Sequence, residues 1–183
     1  MMGHGSALNT GADFAFQPGH PPRMFWHVST VTATAIRIAH ALEPYEITWF
    51  EEPITPDHAE GMAEVKRRAN VPIAGGERLY SRWDARSYLT SGCADVLQPD
   101  VSHVGGISEL RKIAAMAETF SLPVCPHNPI GPVANAATLH LAACVPNFWL
   151  LETMSTDVPW RGDVTTEYVR FAKGEMLIPE GPG

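Results

Sequence analysis

Glu51 and Glu52 stand directly after an apolar strand-like run in the stretch WFEEPITP, residues 49–56. One glutamate there reads as a solvated turn, whereas a pair ending an apolar run raises the question of a site. The pattern recurs, because Glu77, Asp100, His127 and Glu152 close four more short apolar runs. Counted from Glu51, the separations are 26, 23, 27 and 25 residues. Carboxylates that converge with one histidine suit a hard divalent cation beside an acid/base. Mg²⁺ takes oxygen ligands in near-octahedral geometry and keeps waters or substrate oxygens, so Glu51 and Glu77 are candidate ligands. Asp100 and His127 are a candidate dyad, in which the carboxylate fixes the imidazole tautomer and raises its basicity, so that His127 can move a proton. Glu152 is a candidate for bonding a substrate or enolate oxygen. A cation with a base is what proton abstraction next to a carboxylate requires, since the developing charge needs strong electrostatic stabilisation. Taken singly, Asp100 reads as a turn cap, His127 as a core histidine and Glu152 as a partner for Arg78. The shared spacing favours the functional readings.

Elements that would place these residues follow from the patterning. Ala35, Ile36, Ala39 and Leu42 recur at helical spacing and stop before Pro44. ITWF then reads as a short buried strand ending in Glu51. A helix from Pro56–Asp57, a strand VPIAGGE ending in Glu77, and a helix capped by Ser81 and closed by Gly92 follow. ADVLQPD reads as a strand ending in Asp100 and ISELRKIAAMAETF as an amphipathic helix. LPVCPH is a strand ending in His127, GPVANAATLHLAAC an apolar helix, and NFWLLE a strand ending in Glu152. The tail from Asp157 is turn-rich with one hairpin, and residues 1–24 read as irregular. Strands buried on both faces and alternating with helices form a parallel sheet, and polar residues at every strand end share one rim. In a (β/α) barrel that rim carries the chemistry. A doubly wound open sheet is the alternative, but no GxGxxG follows a first strand. The expected fold is α/β, a partial TIM-type barrel of about five to six βα units, since a whole barrel needs about 250 residues.

The 183 residues, 45% hydrophobic and 18% charged, have the composition of one globular domain. A net charge of -7 argues against nucleic-acid or anionic-membrane partners. No apolar run approaches the roughly 20 residues of a membrane span. The first residues lack the pattern of a secretory signal, and the three cysteines, with no CxxC spacing, suit a reducing compartment. A cytoplasmic protein is expected.

The segments FEEP, GGERLYSRWD, LQPDVSHVGGISELRKIAAMAE, CPHNPIGPVANAA and LLE, in this order and spacing, resemble the mandelate racemase subgroup of the enolase superfamily. Within it they look most like acid-sugar dehydratases of the galactonate type. The resemblance runs from about Thr32 to Gly183, and residues 25–183 are assigned to a partial C-terminal barrel domain of that superfamily. It implies Mg²⁺ ligands at Glu51 and Glu77, a His127–Asp100 acid/base dyad, and Glu152 near the substrate. The implied activity is that of a carbon–oxygen lyase, removing water from a sugar acid to give a 2-keto-3-deoxy acid. Members are usually cytoplasmic and often oligomeric, so a small sugar acid and further copies of the chain are the expected partners. The family's first metal ligand is an Asp 26 residues before Glu51, a position held here by Phe25. His27 falls where some dehydratases hold a second histidine acting as general acid. With one anionic ligand missing, weak Mg²⁺ binding and impaired turnover are expected. The alternatives are a non-catalytic barrel remnant, or a racemase or epimerase, which needs a second base opposite His127.

Overall fold

The computed structural model describes residues 25–27, 30–154, 158–167, 169, 171–172 and 175–178. Strands and helices alternate: β1 (Phe25–His27), α1 (Thr32–Leu42), β2 (Trp49–Glu51), α2 (Ala59–Arg68), β3 (Ile73–Gly75), α3 (Arg82–Ser91) and β4 (Val96–Leu97). Two further helices follow, α4 (Ile107–Thr119) and α5 (Pro132–Ala142), and then a terminal pair, β5 (Phe171–Ala172) and β6 (Glu175–Met176). The first four strands pair in parallel in the order β1-β2-β3-β4. Parallel bridges Leu97↔Val124 and Val124↔Phe148 carry the sheet onward in the same sense. An order that never reverses is that of a barrel, because a doubly wound sheet changes direction at its switch point. The chain is therefore α/β, a partial TIM-type barrel with parallel strands. β5 and β6 form the antiparallel hairpin expected in the tail. The reading of residues 1–24 as irregular lies outside the described residues.

The helices form where the apolar spacing puts them. α1 buries Ala35, Ile36, Ala39 and Leu42. α2 starts at Ala59, later than Pro56–Asp57 suggested, and buries Met62 and Val65. Ser81 caps α3 by accepting from the backbone N–H of Asp84, and Gly92 ends that helix at φ 64°. Their inner faces join β-strand residues Phe50, Ile73, Leu97 and Val124 in one core. The alternate strand residues Trp49, Ala74, Val96 and Cys125, with Leu150, pack together as a second cluster. Both faces of the sheet are thus apolar, which is why its strands read as unbroken apolar runs.

One expectation changes. The strands are shorter than the sequence runs suggest: only Glu51 lies within its strand, while Glu77 and Asp100 lie beyond Gly75 and Leu97 in the loops. The runs ending in His127 and Glu152 make single bridges, at Val124 and Phe148. Polar rim residues prefer loops, where their backbone groups need no ladder partner. β1 pairs Phe25 with Trp49 and His27 with Glu51, so the backbone position beside Glu51 belongs to His27 and not to Phe25.

Candidate active site

Side-chain alternation delivers most of the rim. Trp49, Val96, Cys125 and Leu150 share one cluster, and two residues beyond each stands Glu51, Gln98, His127 or Glu152. Glu51 Oε2 accepts from Gln98 Nε2 at 2.8 Å and from Trp49 Nε1 at 3.0 Å. Gln98 is 2% exposed, so this bond fixes the carboxylate from a rigid base. Nothing in composition flags Gln98; its place two residues after the strand position Val96 is the signal that would have found it.

Asp100 is fully buried and lies in the turn after β4. Its Oδ1 accepts from the backbone N–H groups of Ser102, at 2.6 Å, and His103, at 3.3 Å. Its Oδ2 meets His127 Nδ1 at 2.8 Å. A carboxylate only accepts, so Nδ1 carries the proton and Nε2 is the working atom. That Nε2 lies 3.4 Å from Glu77 Oε2, and Glu77 Oε1 lies 3.7 Å from Arg78 Nε. The geometry therefore joins Asp100, His127 and Glu77 in one chain. Arg78, read from the sequence as a partner for Glu152, sits against Glu77.

Burial opposes ionisation of Asp100, yet the hydrogen bonds from His127 and Ser102 hold its carboxyl below the ordinary range. Burial likewise disfavours a charged His127, but the bond to Asp100 and the negative Glu152 and Glu77 raise it above its ordinary value. Glu152 is pushed up to about 7, by burial first, with the charges of Glu51, Glu77 and Asp100 adding to it against His127. Its Oε2 is buried with no hydrogen-bond partner among the described residues. Glu52 is 1% exposed, in the left-handed region at φ 36°. Its carboxyl also rises to about 7, chiefly through burial and then through the charge of Glu77. Glu52 therefore sits beneath the rim and not in a solvated turn.

The resemblance implies Mg²⁺, and the donor set fits a hard cation. Glu51 and Glu77 present oxygen donors at the ends of neighbouring strands, and their charges act together on both Glu52 and Glu152. Support of Glu51 through one oxygen by two donors is the kind of outer bonding that orients a ligand. Among the described residues no group of three or more His, Cys, Asp or Glu side chains is arranged to hold a metal. Glu51 and Glu77 are the residues that would hold such a cation, with water or substrate oxygens supplying the remaining positions.

A sequence model of the family described as Enolase C-terminal domain-like matches residues 23–183. Over 177 residues the chain is 36% identical to a D-xylonate dehydratase of Haloferax volcanii, covering 97% of this chain and 41% of that protein. It is 48% identical over 100 residues to a D-galactonate dehydratase of Ralstonia pickettii, covering 55% of this chain and 26% of that one. The crystal structure of a mandelate racemase/muconate lactonizing enzyme-like protein from Roseovarius sp. TM1035 superposes with a TM-score of 0.82 at 39% identity, over 88% of this chain and 40% of the other. The chain spans about two-fifths of the length of the xylonate dehydratase it matches. The family model covers most of the chain and the strand order agrees with it: the chain belongs to the enolase C-terminal domain-like family.

Proposed function

We propose that this chain carries the acid/base rim of a Mg²⁺-dependent sugar-acid dehydratase. The observation that carries the reading is the bond of 2.8 Å between His127 Nδ1 and Asp100, which leaves Nε2 facing the rim beside Glu77. The relatives' names, D-xylonate, D-gluconate and D-galactonate dehydratase, support the substrate class. Neutral His127 takes the proton next to the substrate carboxylate at Nε2. The imidazolium is stabilised by Asp100 and Glu77, and returns the proton to the departing hydroxyl, which leaves as water. The enol product then becomes a 2-keto-3-deoxy acid. Glu152, with its carboxyl raised to about 7, is present in both forms near neutrality, and its protonated form can donate a hydrogen bond to a substrate oxygen. Mg²⁺ held by Glu51 and Glu77 would supply positive charge where negative charge accumulates on the substrate carboxylate.

The test is calorimetric titration of chelator-stripped protein with Mg²⁺ beside the Glu51→Gln, Glu77→Gln double variant, followed by a screen of sugar acids for keto-acid formation. Weak Mg²⁺ binding lost in the double variant, with slow metal-dependent turnover in the parent, is the expected result. Identical titrations and no turnover would mark the rim as inherited architecture without present chemistry.

A further inference from the structure

His103 belongs to the turn after Asp100 and is a member of neither the carboxylate pair nor the dyad, yet it touches both. Its Nδ1 lies 2.7 Å from the backbone carbonyl of Glu77. A carbonyl oxygen only accepts, so Nδ1 donates and neutral His103 is held as the Nδ1–H tautomer. Its ring stacks on that of His127, with centroids 6.1 Å apart and planes at 28°. The Tyr80 ring lies 6.0 Å away on the loop before α3. Its own backbone N–H donates to Asp100 Oδ1 at 3.3 Å, and Val104 N–H donates to the Asp100 carbonyl at 3.0 Å, so the turn is tied to the dyad's carboxylate.

These contacts span three loops. The loop after β3 carries Glu77 and turns through Gly76 at φ 122°, a conformation that a side chain rarely adopts. The bond from His103 gives that loop its tie to the loop after β4. The ring of the same residue then lies against His127, whose Nε2 must keep its place opposite Glu77. A chemical step sensitive to displacements of about 1 Å needs such a strut.

We infer that His103 is a positioning residue, whose Nδ1–H holds the Glu77 loop at a fixed distance from the His127 imidazole. Its effect on turnover rests on the dehydratase reading; its tautomer and contacts do not. Asn places an amide N–H close to where the imidazole Nδ1–H stands, whereas Phe keeps a ring and removes the donor. Long-range ¹H–¹⁵N spectra of the unaltered protein, recorded at alkaline pH where imidazoles are neutral, should show the proton of His103 on Nδ1. Histidine 103 observed as the Nε2–H tautomer, or as an exchanging mixture, overturns the inference whatever the variants do. In turnover, His103→Phe should lower kcat at least tenfold with KM changed less than threefold, and His103→Asn should recover kcat to within about threefold of the parent. Equal kcat in His103→Phe and the parent also overturns it. If the parent turns over no sugar acid, the dehydratase reading has failed, and the tautomer alone decides the role of His103.

Discussion

The pair Asp100–His127 makes a stability signature as well as a catalytic one. Its two pKa displacements have opposite signs. His127 is raised above its ordinary 6.5, so its contribution is full below that value and is lost as pH rises through the higher folded one. Asp100 is lowered from its ordinary 3.8, so its contribution is full above 3.8 and is lost as pH falls through the lower folded value. The pair stabilises fully between about pH 3.8 and 6.5, with flanks on both sides. Asp100→Asn keeps an acceptor but removes the charge that holds the imidazolium. Thermal midpoints of the parent and this variant should differ most inside that window and draw closer, without converging, as pH rises through the raised His127 value. Turnover should fall by about 100-fold or more, the usual scale for a lost acid/base contribution. A gap between the midpoints that stays constant to pH 9 would show that Asp100 acts only as a structural acceptor.

At the scale of the element, β3 must pass very close to α3. A methyl group at Gly75 would stand 2.4 Å from Tyr88 Oη, and 3.3 Å from Glu52 Cγ and Met62 Cε. Tyr88 is buried and its hydroxyl has no partner among the described residues. Gly75→Ala should therefore cost about 1–3 kcal/mol by overpacking. Tyr88→Phe alone should be neutral or slightly stabilising, because it removes an unsatisfied buried hydroxyl. The double variant should regain most of the loss, which urea unfolding of all four proteins would measure; additive costs would mean that Oη is not the obstacle. This close approach was not legible from the sequence, where GGE reads only as a strand end. The βα repeat was legible because apolar runs and helical spacing are local properties. The exact strand ends were not, since pairing in parallel strands this short is decided by neighbours distant in the chain. The roles of Gln98 and His103 were hidden for the same reason: one bonds Glu51 across the sheet, the other the Glu77 carbonyl across two loops.

For the molecule as a whole, the question is whether the sector behaves as one cooperative body. One buried cluster runs from Ala35 and Ile36 in α1, through Phe50, Ile73 and Leu97 in the sheet, to Leu110 and Ile113 in α4 and Leu141 in α5. No boundary within it separates early units from late ones, so damage at one end should be felt at the other. Leu110 is fully buried, and Leu110→Ala should cost about 2–5 kcal/mol through lost burial and the cavity left behind. For a chain of this size that corresponds to a fall of about 2–4 °C in Tm per kcal/mol. Native-state hydrogen exchange should then show protection falling equally at Phe50 in β2 and at Leu139 in α5, although α4 carries the substitution. Val133→Ala, at a residue 73% exposed, serves as the control and should leave both sites unchanged. Loss confined to α4 and α5 would mean that the β1–β3 half folds separately from the part bearing His127. In that case the distance from Glu77 to His127 would be set by docking between two units. Equal loss would mean that the core holding the helices also fixes the spacing of the rim, so that acid/base geometry and global stability fall together.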